Sequence, residues 1–231
     1  MLPAQPNQSL IDGLACLQAL ASSSEAVGNR ELARTLGLEP TRVNRLLKTL
    51  AHLGLAEQDA QRRYRPGPAI HVLAAQSLFG SKLIRRAIGP LEELHRFGLI
   101  VAFGVLWRDQ TSYLYHAEPG MTAAHALGRV GLHPATATGI GMALLARQPD
   151  ESISDQYGPS DELSGALARI RTQNYALVTT DRRHRTVAVV IEGGDAALGL
   201  SGEFPDARVP ELVAALRDAA AEIGAPGEGN E

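Results

Sequence analysis

The fold turns on RELARTLGLEPTRVNRLLKTLAHLGLAEQDAQRRYRPG, residues 30–67. Leu32, Ala33 and Leu36 are spaced to share one face of a short helix over 30–36, and Gly37 follows where a left-handed cap residue ends a helix. Only Leu38 and Glu39 separate this run from the next. Pro40 suits the first turn of a helix, where a missing N–H forfeits no intrahelical bond. Val43, Leu46, Leu47 and Leu50 then repeat at i, i+3, i+4 and i+7, predicting a helix over 40–53 with one buried stripe. After Gly54 the chain alternates weakly around a polar turn near Asp59 and Ala60, the pattern of a two-stranded wing.

Two helices joined by a tight turn form a helix-turn-helix, and its DNA-reading version lays the second helix in the major groove. The outward positions of that helix are Thr41, Arg42, Asn44, Arg45, Lys48 and Thr49, and Arg, Asn and Lys hydrogen-bond base edges. In the wing, Arg62, Arg63 and Arg65 flank Tyr64, where cations reach phosphates or the adjacent minor groove. The same pattern also fits a small helical bundle with a solvated charged face, so spacing alone leaves both readings open.

With 231 residues, 45% hydrophobic and 20% charged, the chain has material for two domains and lies outside the composition of disordered proteins. The net charge of −3 is uneven: residues 1–68 carry eight Lys/Arg against six Asp/Glu, a net of +2, which leaves −5 for the rest. Such asymmetry suits a nucleic-acid-facing module attached to a different one. No run approaches the ~18 apolar residues of a membrane span, and the first residues lack the basic-then-apolar pattern of a leader. The one cysteine, Cys16, has no partner for an internal disulfide. A cytoplasmic protein with no membrane association is expected.

Before residue 30, Leu10, Ile11, Leu14, Leu17 and Leu20 predict a helix over 9–21, with Ser9 available as its N-cap. Beyond the wing, residues 70–97 look helical, with Gly89-Pro90 expected to interrupt them and separate a linker helix from a second one. LIVAFGVLW (99–107) and TSYLYHA (111–117) read as strands joined through Arg108-Asp109-Gln110. Their odd parity places Val101, Phe103, Val105, Trp107, Tyr113 and Tyr115 on one face. ATATGIGMALLAR (135–147) reads as a helix. YALVTT (175–180), RTVAVVIE (185–192) and AALGLSGE (196–203) read as strands, the last two joined across Gly193-Gly194-Asp195, and PELVAALRDAAAEIG (210–224) as a closing helix. Hairpin-linked strands with helices at either end argue an α+β domain with an antiparallel sheet.

Glu31-Leu32-Ala33, Gly37-Leu38, Val43, Arg45-Leu46-Leu47, Thr49-Leu50 and Leu53-Gly54-Leu55, with Tyr64 and Gly67 in the wing, resemble the winged helix-turn-helix of the IclR (isocitrate lyase regulator) family of bacterial transcription factors. LHPATATGIGMALLA (132–146) is similar to that family's helix entry, NYALVTTDRRHRTVAVVI (174–191) to its strand pair, and AALGLSGE to a later strand. The resemblance implies a sequence-specific transcriptional regulator that binds a palindromic operator in double-stranded DNA as a homodimer or tetramer. It implies a winged helix-turn-helix at 1–68, a linker helix at 69–80, and an effector-binding and oligomerisation domain at 81–225. That domain would be GAF- or profilin-like and shortened between Arg147 and Arg169, with a flexible tail at 226–231. No catalytic residue, cofactor or metal is implied.

By the same resemblance a small-molecule effector would lie against Gly139 and Ile140 at the helix entry and against Val178, Thr186, Gly199 and Ser201 on the strands. The chain departs from the family pattern. Val178 stands where an acid is frequent, Met142 replaces a lysine, Asn174 replaces a glycine, and only Thr186 and Ser201 keep hydroxyls. Two alternatives stay open: a more apolar effector lined also by Trp107, Tyr113 and Tyr115, or a domain that serves only as an oligomerisation scaffold.

The remaining alternative, an enzyme of unknown type, finds no active site in the sequence. His116, His125 and His133 are nine and eight residues apart, a spacing that matches no helix face or zinc-finger motif, and Glu118 does not complete one. Cys16 has no nearby histidine, and Ser201-Gly202 lacks the flanking glycines of a nucleophile elbow. Arg182-Arg183-His184-Arg185 reads as a solvated turn between strands.

Overall fold

The computed structural model describes residues 5–127, 131–179 and 183–225, and the chain divides into two compact units, 1–81 and 82–231. The expected tail at 226–231, and Arg182 of the basic turn, lie outside the described residues. No helix among those residues is long and apolar enough to cross a membrane.

The first unit runs α1 (Gln8–Ala21), β1 (Val27–Gly28), α2 (Asn29–Leu36), α3 (Pro40–His52), β2 (Ala56–Gln58), β3 (Arg63–Pro66) and α4 (Ala69–Ser81). Asn7 rather than Ser9 caps α1, its side chain accepting from the Leu10 N–H, because the helix starts one residue before Ser9. Gly37 ends α2 at φ 63°, the left-handed conformation that glycine adopts without strain. Cys16, Leu20, Leu32, Val43, Leu47 and Tyr64 form the core, so Tyr64 anchors the wing from inside. The wing is three-stranded: β3 pairs with β2 and also with β1. At two residues, β1 is too short to leave an alternating pattern in the sequence.

The helical stretch that follows breaks at Lys82, which is left-handed at φ 53°, and not at Gly89-Pro90. Pro90 lies inside α5 (Leu83–Glu93), near its C-terminal end, with Ala87, Pro90 and Leu91 buried. Proline there withholds one donor, and burial of the helix face holds the turn.

After α5 and a 3₁₀ turn at Leu94–Phe97 come β4 (Ile100–Trp107), β5 (Gln110–Ala117), α6 (Ala123–Ala126), β6 (Leu132–Pro134), α7 (Gly139–Leu145), α8 (Asp150–Tyr157) and α9 (Asp161–Gln173). The unit closes with β7 (Ala176–Thr179), β8 (His184–Val190), β9 (Ala196–Glu203) and α10 (Val209–Gly224). The six strands form one sheet in the order β6-β5-β4-β9-β8-β7, antiparallel throughout. One face buries Val101, Phe103, Tyr115 and Leu198 in a core that includes Leu91 and Leu216. The other buries Ala102 and Ala188 with Ile140, Leu145 and Leu167. This is the α+β architecture expected from the hairpin-linked strands.

The shared odd parity of β4 and β5 does not hold along their length. Phe103 pairs with Tyr115 but Gly104 pairs with Tyr113, leaving Leu114 as an extra residue. A bulge of this kind turns the side chains that follow it onto the other face. Tyr115 therefore belongs to the α5–α10 side and Tyr113 to the α7 side. The helix expected over 135–147 is also divided. Thr138 is extended at φ −122° and ψ 147°, so a 3₁₀ turn at Ala135–Ala137 precedes it and α7 begins only at Gly139.

Candidate functional site

On α3, burial of Val43, Leu47 and Leu50 turns Thr41, Arg45, Lys48 and Thr49 out to solvent. Among the described residues the side chains of Arg45 and Lys48 have no hydrogen bond or ion pair, leaving their donors free. Thr49 bonds back to the Arg45 carbonyl at 3.0 Å. Arg42 is engaged: its Nε lies 2.6 Å from Oδ2 of Asp12 on α1, a close ion contact off the line of a hydrogen bond. Asp12 is 4% exposed and also accepts from Gln8 Nε2 at 2.7 Å. Arg42 and Asp12 thus tie the second helix of the motif to α1, and Asn44 sits half-buried.

The wing divides in the same way. Arg63 Nε bonds Asp59 at 3.1 Å and Arg65 bonds Glu57 at 2.8 Å, whereas the exposed Arg62 side chain makes no such bond among the described residues. Asp59 shapes the turn by accepting from the backbone N–H groups of Gln61 and Arg63. The Arg63 N–H is the main cause holding its carboxyl below the usual carboxylate range.

In the second unit the strand register sets Val178 beside Thr186 and Thr186 beside Ser201. The head of α7 lies against them: a Cβ on Gly139 would fall 2.5 Å from Thr186 Cγ2, and one on Gly199 3.5 Å from the same methyl. Thr186 donates to Ser201 Oγ at 2.9 Å. Thr138 caps α7 by accepting from the Gly141 N–H at 2.9 Å, and its hydroxyl meets that of buried Thr111 at 2.8 Å. Tyr113 joins this group. Burial pushes its phenol above the ordinary value, against a smaller opposing effect of its hydrogen bond with Thr138.

The structure therefore gathers Tyr113, Gly139, Ile140, Val178, Thr186, Gly199 and Ser201 around one end of α7, and leaves two expected residues elsewhere. Trp107 is 42% exposed at the end of the β4–β5 hairpin, stacked near Arg108. Tyr115 is fully buried on the opposite face of the sheet, where its hydroxyl meets His95 Nε2 at 2.8 Å. The bulge at Leu114 separates it from Tyr113.

The sequence model of the IclR helix-turn-helix domain matches residues 9–60. The HTH-type transcriptional regulator BhcR of Paracoccus denitrificans is 30% identical, over 88% of this chain and 82% of its own length. This chain belongs to the IclR family. It is a DNA-binding transcriptional regulator. Solved structures share its fold. An IclR family transcriptional regulator from Brucella abortus superposes with a TM-score of 0.74 at 23% identity, over 96% of this chain and 94% of that one. An IclR homologue from Microbacterium hydrocarbonoxydans, complexed with 4-hydroxybenzoate, gives 0.69 at 19% identity, over 94% and 97%.

In this IclR regulator, sequence reasoning missed Asp12 and Thr111. Asp12 carried a signal, being the one acid of α1 and bordering a leucine stripe, but its Arg42 partner lies thirty positions on. Thr111 carried none, since a strand threonine is ordinary until the α7 cap is seen to need it. His116 and His133 pack against the Tyr113 ring at 5.3 and 5.5 Å, while His125 bonds Thr122. Among the described residues no three His, Cys, Asp or Glu side chains could hold a metal ion. Cys16 is buried, and its thiol is pushed up chiefly by burial and further by the Asp12 charge, which makes it a small core residue rather than a nucleophile.

Proposed function

We infer that the regulator binds a near-palindromic operator as a homodimer, or as a pair of dimers, with α3 of each copy in successive major grooves roughly 34 Å apart. The observation that carries this reading is the free, outward pair Arg45 and Lys48, one turn apart on α3. Self-association is supported by α4, whose Val72, Leu73, Leu78 and Phe79 lie open to solvent, Phe79 at 79%. Packing against a second copy removes that apolar surface from water. Residues 69–80 then act as a linker helix between a DNA-binding domain at 1–68 and an effector and oligomerisation domain at 81–225. The protein works in the cytoplasm and performs no chemistry on its ligand. The test is genome-wide mapping of bound DNA followed by footprinting of a bound fragment. Two protected half-sites about 10 base pairs apart are expected, and a single half-site held by a monomer overturns the reading.

The head of α7 is the proposed effector site, supported by the residues gathered there and by the 4-hydroxybenzoate complex of the Microbacterium homologue. One observation favours the scaffold reading instead: the hydroxyls of Thr138, Thr186 and Ser201 already bond within the chain. A thermal-shift screen decides between them. An effector at ~100 times its dissociation constant adds about 2.7 kcal/mol of stability, and no shift across a broad panel of small acids and aromatic acids leaves the scaffold.

A further inference from the structure

We propose a second small-molecule site at the other end of α7, one that takes an apolar monocarboxylate. A cavity of about 380 Å³ opens there between the C-terminal ends of α7 and α9 and the end of β8. This volume lies at the small end of the range for ligand pockets. Ala143, Ile170, Ala188 and Val190 give it an apolar floor, and Arg147, Arg171, Arg217 and Glu192 stand on its rim.

The three arginines are not equivalent. Arg171 is committed to the fold: it donates to the carbonyls of Ala146 and Gln148 at 2.8 and 2.9 Å and pairs with Asp150, closing helix ends whose carbonyls lack intrahelical donors. Arg217 gives one bond, from Nη2 to the Gln173 carbonyl at 3.0 Å, and keeps its other donors. Arg147 is exposed, and its side chain makes no hydrogen bond or ion pair among the described residues. No structural role accounts for it, yet it borders the apolar floor and also a neighbouring hollow beside Gly193 and Gly194.

Free guanidinium donors above an apolar floor match a carboxylate head on a hydrocarbon or aromatic body, since guanidinium binds carboxylate through paired, charge-assisted bonds. Glu192, the other rim charge without a partner among the described residues, sets the sign of a second effect: its carboxylate opposes an anionic ligand. The site is separate from the Thr138–Thr186–Ser201 group, because the seven residues of α7 place roughly 10 Å between its ends. It therefore does not depend on the effector reading given for that group.

The experiment titrates the full-length protein with benzoate, phenylacetate and hexanoate by calorimetry, with benzyl alcohol as the uncharged control. At least one acid is expected to bind with Kd of about 1 mM or tighter and the alcohol at least tenfold more weakly. Arg147→Ala should weaken the acid about tenfold or more, with Arg147→Lys in between and thermal stability unchanged. Glu192→Gln should tighten it. Binding that is blind to both Arg147→Ala and Glu192→Gln, or binding abolished by Ser201→Ala instead, overturns the proposal, as does silence from all three acids.

Discussion

On α3, Arg45 and Lys48 stand in solvent with side chains that have no partner among the described residues, whereas at the head of α7 Thr111, Thr138, Thr186 and Ser201 use their hydroxyls on one another and on the helix cap. The roles proposed for the two regions, DNA contact and effector binding, would thus start from opposite states. A DNA-reading face keeps its cations hydrated, because the phosphate field draws them in and the released counterions supply much of the affinity. A site whose hydroxyls already bond within the chain must give up internal bonds to admit a ligand that takes their place, and each exchange yields little net energy. At the effector site proposed there, this favours ligands that add contact with Ile140, Val178 and the Tyr113 ring over ligands that rely on a carboxylate.

The largest way to break that contrast is to disturb the α7 head sterically. A Cβ on Gly141 would sit 2.2 Å from the Ala135 carbonyl oxygen and 2.5 Å from Thr111 Oγ1, and backbone cannot step aside as a flexible side-chain tip does. Gly141→Ala should destabilise the protein by about 3 kcal/mol or more, through overpacking and loss of the threonine pair. Denaturant unfolding monitored by Trp107, the chain's one tryptophan, reads it directly. A loss below ~1 kcal/mol means that the head of α7 yields and is not tightly packed.

A smaller effect is expected where the DNA-reading unit does commit a charge. Asp12→Ala strands Arg42, but the Arg42 side chain is 35% exposed and recovers water, so about 2 kcal/mol is expected rather than the 3–5 of a fully buried pair. Because the contact joins α1 to α3, operator affinity should fall as well. Arg42→Lys separates the two roles by keeping charge near Asp12 while changing the group that DNA would meet. Equal operator binding by Arg42→Lys and wild type assigns Arg42 to the fold alone.

The two regions were unequally legible in the sequence. Leu32, Gly37, Pro40 and Val43 fixed the helix-turn-helix because each acts locally, through helix period, cap and first turn. Tyr113 and Tyr115 misled because one extra residue, Leu114, reverses a face, and nothing at that position announces a bulge. Gly89-Pro90 misled because proline's local penalty was outweighed by burial of Ala87, Pro90 and Leu91, a tertiary effect. Asp12–Arg42 and Thr111–Thr138 were illegible for the same reason: each member is ordinary alone, and only folding brings the second within reach.

The smallest effects sharpen the contrast within the DNA-reading unit itself, between free and committed arginines. Arg45→Ala should weaken operator binding by roughly 1–3 kcal/mol if it reads a base and leave stability within about 0.5 kcal/mol, as expected for an unpaired surface residue. Arg62→Ala, also unpaired, should lower the slope of log affinity against log salt by about one unit on operator and scrambled DNA alike. Arg65→Ala should lower it less, because Arg65 is already partly neutralised by Glu57 at 2.8 Å and releases fewer counterions. Glu57→Gln frees Arg65 and should steepen the slope. If Arg62→Ala and Arg65→Ala give the same slope, DNA pulls Arg65 off Glu57 at no cost, and the pairing seen in the free protein says nothing about which arginines meet phosphate.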